Sequence, residues 1–392
     1  MSATTPLRIL HVIANINRQM GGPSQSVSHL AIETAQAGHQ VSLASIDYPE
    51  YGPMTDTPGV EGITFKPHIL TRLLGAHHPE FQREILQRSP SLDFIHNHGI
   101  WLWPNHYAVQ ASRKQGKILV TSARGMLGSW ALGQRQLLKK TVWHLREHRD
   151  LLSTTAFHAT SAEEAADIRA LGLQQPIAII PNGVDIPTLL DRNPSSPKRR
   201  AIFLSRLHPK KGLQELIQAW ASLPEKLQQT WQLKIAGTGP EAYRNLLQKS
   251  IQEHGLSSST ELCGEVSGLQ KQQMLEEAEI LILPSYEENF GIVIAEALAH
   301  GTPVLTTQAT PWKTLEQQGC GWCIPVGAEA LSQHLPNILS LDSATLQERG
   351  ARGRIWMRND YSWTSISQQM ITFYYWLQHG GKAPSYVDVI SP

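Results

Sequence analysis

Cysteine is scarce in this chain, with three in 392 residues, so no disulfide framework is expected. A charge excess of either sign is missing too. Lysine and arginine number 34 against 33 aspartates and glutamates, which argues against the basic field that a nucleic-acid partner requires. No apolar run approaches the ~20 residues that span a bilayer. The opening MSATTPLRILHVIA lacks the basic segment, long apolar core and cleavage site of a leader. A cytoplasmic chain is therefore expected, and any membrane contact would be peripheral at the inner face of the cytoplasmic membrane. Asp-x-Asp, a common metal-holding pattern, is also absent.

What is present is organised around residues 279 to 305. Ile280-Leu281-Ile282-Leu283 is a continuous apolar run closed by Pro284, as in a strand buried on both faces of a parallel sheet. After Gly291, Ile292, Ile294, Ala295, Leu298 and Ala299 recur at helical spacing, and Gly301 ends the helix before Val304-Leu305. The loop from Ser285 to Gly291 thus joins a strand end to a helix amino terminus, where free backbone N–H groups favour anions. Glu288 and Glu296 flank it. If the helix end holds phosphates, these carboxylates suit sugar hydroxyls on either side.

At 392 residues the chain exceeds what one core supports, so two domains are expected. In the first, a strand from Ile9 to Ala14 leads to Gly21-Gly22-Pro23-Ser24 and a helix bearing Val27, Leu30 and Ala31, with Ser24 as a candidate cap. The glycines fit either a tight turn or a close ligand approach. Residues 48 to 62 read as a surface loop. The strand from Leu92 runs into His96-Asn97-His98, whose two imidazoles would share one face; a metal is the weaker reading, since no further ligand sits at a familiar spacing. Lys117 to Thr121 is a strand ending near Arg124. Gln134 to Arg149 carries Arg135, Lys139, Lys140, Arg146 and Arg149 around Trp143 and Leu145, which fits an anionic membrane surface or an ordinary surface helix. Residues 185 to 200 read as a linker.

The second domain begins with a strand from Ala201 to Leu204, followed by Arg206 and Lys211 before a helix from Leu213. Two cations at a strand end suit a diphosphate, although a solvated basic turn is the bland alternative. Gly237-Thr238-Gly239 lacks the third glycine of a dinucleotide fingerprint. Cys320-Gly321-Trp322-Cys323 falls in a strand pattern and is assigned no role.

Glu288-Asn289-Phe290-Gly291, then Glu296-Ala297-Leu298 and Gly301-Thr302-Pro303-Val304, resembles the Glu-x7-Glu signature of the family-4 retaining glycosyltransferases. Arg206-Leu-x-x-x-Lys211-Gly212 resembles their basic motif, with Ser205 where Gly is usual. The resemblance implies the α/β GT-B fold, two doubly wound Rossmann-like domains facing a cleft. Residues 1–190 would form the acceptor side, 191–360 the donor side, and an aromatic helix, 361 to 377, would return to the first domain ahead of a tail.

It further implies a nucleotide diphosphate sugar as donor and a glycan or lipid-linked acceptor, with cell-surface polysaccharide or lipopolysaccharide biosynthesis as the setting and no cofactor or metal. By resemblance, Arg206, Lys211, Glu288, His98 and Arg124 serve catalysis, Arg124 standing near where relatives carry a His. Gly21, Gly22, Gly237, Gly239, Val266, Leu269, Asn289, Phe290, Gly291 and Glu296 would contact the donor. The rival readings are a sugar-nucleotide epimerase of the same fold and a non-catalytic nucleotide or glycan binding module.

Overall fold

The computed structural model describes residues 5–128, 140–189 and 198–390. Its strands are β1 (Arg8–Ile13), β2 (Gln40–Ile46), β3 (Glu61–Phe65), β4 (Phe94–His98), β5 (Ile118–Ser122), β6 (Ala156–Ala159) and β7 (Ile177–Ile179), then β8 (Arg199–Leu204), β9 (Trp231–Ala236), β10 (Thr260–Gly264), β11 (Ile280–Leu283), β12 (Val304–Thr307) and β13 (Gly321–Ile324), and finally β14 (Val387–Asp388). One sheet runs β14-β7-β6-β5-β4-β1-β2-β3 and the other β10-β9-β8-β11-β12-β13. Within each sheet the strand that comes first in sequence, β1 or β8, lies inside the sheet, and the strand order reverses beside it. This is the doubly wound Rossmann pattern, whose ligands bind at the carboxyl ends of the two strands flanking the reversal. Those strands are β1 and β4 in the first sheet, β8 and β11 in the second.

Among the described residues every pairing between these strands is parallel except β14 with β7. Parallel strands need helical crossovers on both faces, which is why β11 reads as an unbroken apolar run and is buried along its whole length.

The chain divides into two compact units, 1–183 with 363–392, and 184–362. The two crossings are therefore side by side, not spread over 185 to 200. Val184 N–H donates to the Tyr361 carbonyl at 2.8 Å, and Val184 bridges Ser362. A Cβ on Gly183 would sit 2.3 Å from the Trp363 ring, so only glycine fits there. Of the expected linker, 190–197 lies outside the described residues, and Arg199 and Arg200 already belong to β8.

The returning helix spans Trp363–His379. Its Ile366, Met370, Phe373 and Tyr374 share one buried cluster with Leu7, Ile9, Phe94 and Val120 of the first unit. The segment beyond it is more than a tail: Val387 pairs antiparallel with Ala178, covering a sheet edge that would otherwise present unpaired backbone groups.

Arg135 and Lys139 of the basic stretch lie outside the described residues. From Lys140 the chain is helical, with a π turn at Trp143–Glu147. Arg146 is turned inward: its Nη2 donates to the Trp101 carbonyl at 2.6 Å, and its guanidinium lies 4.9 Å from the Trp103 ring centroid. Leu145 is 75% exposed.

Candidate active site

In the second unit, the loops leaving β8 and β11 meet. Tyr286 N–H donates to the Lys210 carbonyl at 2.8 Å, and a Cβ on Gly212, at φ +69°, would lie 2.2 Å from the Pro284 carbonyl oxygen. Glycine there lets the two loops touch. Their contact joins Lys211 Nζ to Glu288 Oε1, a buried pair. Ser285 Oγ donates to the same oxygen at 3.0 Å. Arg206 is exposed on the same β8 loop.

Glu296 lies in the helix Ile292–Ala299, and Lys271 Nζ, from the helix Gly268–Glu277, reaches its Oε1 at 2.6 Å. Each carboxylate is thus held through Oε1 by a lysine. Glu296 Oε2 is buried with no partner. An ionised carboxylate oxygen left in this way can accept a hydrogen bond from a ligand donor. Lys271 was not foreseen, because one lysine in a polar helix carries no spacing signal.

Gly291, at φ +74°, precedes the helix, and no side chain caps it; Ile294 N–H turns back to the Gly291 carbonyl at 2.8 Å, and such an uncapped end suits an anion. Phe290 is buried and its carbonyl accepts from Trp312 Nε1. Trp312 also stacks on Tyr361, with ring centroids 5.3 Å apart. The aromatic group fixes the Asn289-Phe290-Gly291 turn from behind, which the sequence reading missed.

The Gly237-Thr238-Gly239 loop packs directly on the β8 loop. A Cβ on Gly237 would fall 1.8 Å from the Ser205 carbonyl oxygen and one on Gly239 2.4 Å from that of Leu207. These glycines are required by chain-to-chain approach. Val266 is buried, whereas Leu269 is 61% exposed at the start of its helix. The Cys320 thiol is buried and pushed up to about 12, and burial raises Cys323 as well, so neither is a ready thiolate.

In the first unit, Gly21 at φ +90° is itself the cap residue of the helix Gly22–Gln36. Ser24 is therefore inside the helix rather than its cap, and its Oγ donates to the Gly21 carbonyl at 2.7 Å. Added Cβ atoms at Gly21 and Gly22 would meet nothing within 4 Å. A cavity of about 160 Å³ opens beside this turn, lined among others by Asn15, Ser24, His98, Asn105, Arg124 and Met126. It lies at the carboxyl ends of β1 and β4.

Behind the cavity runs a chain of neutral hydrogen bonds. His158 Nε2 faces the Ile180 carbonyl at 2.8 Å and must donate to it, leaving Nδ1 to accept from Ser122 Oγ at 2.7 Å. Ser122 in turn accepts from His96 Nε2 at 2.8 Å, and His96 Nδ1 accepts from the Tyr374 hydroxyl at 2.6 Å. Nearer the cavity, Arg124 Nη2 donates to His98 Nδ1 at 3.1 Å, so His98 Nε2–H points at His11 Nδ1, 2.8 Å away. His11 Nε2 then carries a buried, unpartnered hydrogen.

Burial, reinforced by the Arg124 charge, pushes His11 down to about 3. Burial likewise lowers His158 to about 3 and His96 and His98 well below the usual range. His96 and His98 do share a face, their ring centroids 4.1 Å apart, but only His98 lines the cavity. With Nδ1 occupied by a cation and its basicity suppressed, His98 is a hydrogen-bonding wall, not a general base.

His11, His96 and His98 bring ring nitrogens within 4.8 Å of one another. Their rings stack or tilt face to face, and the nitrogens of His96 and His98 are taken by Tyr374, Ser122, Arg124 and His11. A cation would have to displace these bonds beside a guanidinium, so the cluster reads as a structural network.

Comparison with known proteins identifies the family. The model of Glycosyltransferase Family 4 matches residues 20–187 and that of Glycosyl transferases group 1 matches 188–355. The chain belongs to this family of GT-B glycosyltransferases. It is 26% identical to a glycogen synthase of Mycobacterium tuberculosis, over 93% of each chain. It is 22% identical to the GDP-mannose:cellobiosyl-diphosphopolyprenol alpha-mannosyltransferase of Xanthomonas oryzae pv. oryzae, over 80% of this chain and 81% of that one. Its fold matches the sucrose-phosphate synthase of Thermosynechococcus elongatus with a TM-score of 0.76 at 21% identity, covering 95% of this chain and 100% of the other. The chain is a glycosyltransferase.

Proposed function

We propose that the chain moves a sugar, with retention and without a metal, from a nucleotide diphosphate sugar to a hydroxyl of a glycan or lipid-linked acceptor in cell-surface polysaccharide or lipopolysaccharide biosynthesis. The observation that carries this reading is the meeting of Lys211 and Glu288 at the strand-order reversal of the second sheet. It puts a cation for phosphate and a carboxylate for sugar hydroxyls within one ligand's reach. Arg206 and Lys211 serve the diphosphate, and the uncapped helix at Asn289 to Gly291 adds its dipole. Glu288 serves the transferred sugar and Glu296 the ribose. The bond from the anomeric carbon to the leaving phosphate oxygen breaks as the bond to the acceptor oxygen forms on the same face. The acceptor proton passes to the departing diphosphate, which needs neither a protein nucleophile nor a basic histidine.

The acceptor assignment draws on the Xanthomonas relative, whose name gives a diphosphopolyprenol-linked glycan. Exposed Leu145 beside Lys140 and Arg149 supports peripheral contact with an anionic membrane. No helix among the described residues is long and apolar enough to cross one. The test is incubation with UDP- and GDP-sugars and lipid-linked or glycan acceptors, followed by separation of products. A glycoside with the donor's anomeric configuration is expected; an epimerised sugar nucleotide, or an inverted glycoside, refutes the reading.

A further inference from the structure

Arg124 is held in an unusual state. It follows β5 with φ +57°, a left-handed conformation that a side-chain residue adopts at some cost and that collects at functional sites. Its guanidinium has only neutral partners: Asn182 Oδ1 at 2.8 Å, Ser26 Oγ at 3.4 Å and His98 Nδ1 at 3.1 Å. Its Nε is buried with no partner. The acid that acts most on it, Glu164, is committed elsewhere, accepting from Gly125 N at 2.6 Å, Thr160 N at 2.7 Å and Thr160 Oγ1 at 2.8 Å. Among the described residues no carboxylate forms an ion pair with Arg124.

A cation so placed remains charged near neutrality, because burial lowers it only to about 10. A half-buried charge without a counter-ion is costly to folding, and this one faces a cavity of about 160 Å³. That is room for about five waters at ~30 Å³ each, the scale of a single sugar ring. The remaining polar lining, from Asn15, Ser24, Asn105 and His98, suits hydroxyls.

We propose that this cavity is a subsite for an acidic sugar, with a hexuronate carboxylate seated on the Arg124 guanidinium. The inference rests on the reading of the chain as a transferase that uses a nucleotide diphosphate sugar. A planar guanidinium fork matches a carboxylate, and the diphosphate has its own cations in Arg206 and Lys211. The acid belongs either to the transferred sugar or to the acceptor.

D-Glucuronate and D-glucose differ only in the carboxylate at C6, so titrating the full chain with each, by ligand-observed NMR, isolates the Arg124 contribution. Glucuronate is expected to bind roughly tenfold or more tightly than glucose, and than inorganic phosphate. Arg124→Gln should abolish the preference, and Arg124→Lys, which keeps the charge but not the fork, should keep part of it. Equal binding of glucuronate and glucose, phosphate binding as well as glucuronate, no glucuronate binding, or a preference that survives both substitutions overturns the proposal. Should Arg124→Gln fail to fold, Arg124→Lys decides alone: an unchanged preference refutes. UDP-glucuronate against UDP-glucose locates the source. A preference between these donors assigns the acid to the transferred sugar, and equal donor affinity with preference for free glucuronate assigns it to the acceptor. Binding of UDP or GDP to the unaltered chain is scored separately, so that a missing nucleotide site counts against the transferase reading and a missing carboxylate preference against this inference alone.

Discussion

The Tyr374 hydroxyl and His96 Nδ1 lie 2.6 Å apart although 278 residues separate them in the chain. The bond fixes the returning helix to β4 and stands at the far end of the relay whose direction the Ile180 carbonyl sets. Tyr374→Phe would leave a buried imidazole nitrogen without a donor. A loss of about 1–3 kcal/mol is expected in denaturant unfolding of the first domain; an unchanged midpoint would show that the relay contributes no stability.

The four buried histidines give stability a definite pH dependence. His11 and His158 fall from an ordinary 6.5 to about 3 in the folded chain, and His96 and His98 are lowered too. Because the folded values are depressed, the unfolded chain binds more protons below 6.5. The stabilisation is complete above that value and drains away as pH falls toward the folded ones, each histidine contributing about 1.4 kcal/mol per pH unit. Thermal unfolding followed from about pH 7 to 4 should show this decline, and His158→Gln should flatten its slope. A slope indifferent to that substitution contradicts the assignment.

Arg206→Ala and Lys211→Ala are each expected to weaken nucleoside diphosphate binding by roughly tenfold or more, the worth of a charge-assisted contact. Calorimetric titration measures it. Lys211→Ala also strands Glu288, so the pair Lys211→Ala with Glu288→Gln separates the lost contact from the stranded carboxylate. Retained affinity in the folded Arg206→Ala, Lys211→Ala double variant removes the basic pair from the diphosphate site.

The two glutamates should fail differently. Glu296→Gln is expected to raise the dissociation constant for the free nucleoside diphosphate, whereas Glu288→Gln should chiefly lower kcat with the intact donor. Identical effects of the two changes on free nucleotide binding would undo the division between ribose and transferred sugar.

Turnover and donor binding are expected to be indifferent to EDTA, since cationic side chains and a helix end are assigned to the diphosphate. Activity that disappears on chelation and returns with Mg²⁺ or Mn²⁺ would require a different account of the leaving group.

Much of the fold was legible because it is written in local pattern. Apolar runs such as Ile280 to Leu283, each closed by turn residues and followed by a helical repeat, give two α/β halves. Arg206, Lys211, Glu288 and Glu296 were legible through motif spacing, since a strand end and the next helix fix where those side chains can stand. The relay was not. His11, Ser122, His158 and Tyr374 come from three strands and a distant helix, and no spacing in the chain links them. Their meaning arises only when β1, β4, β5 and β6 lie side by side. Lys271 and Trp312 likewise gain their meaning only from tertiary packing, and Ser24 reads as a cap because sequence does not reveal that Gly21 already fills that place at φ +90°. The strand Val387–Asp388 is two residues long, too short for any period to declare it.

The first domain is assembled from both ends of the chain. During synthesis, residues 184–362 leave the ribosome as a contiguous stretch and can close their core at once. The earlier 183 residues must wait for Ile366, Phe373 and Tyr374 to complete the cluster with Leu7, Ile9 and Phe94. The amino-terminal unit, usually the first to mature, is here the one whose core is completed last in the chain. A nascent chain cut short by even a few dozen residues would carry a second unit with all its core residues and a first unit lacking part of its own.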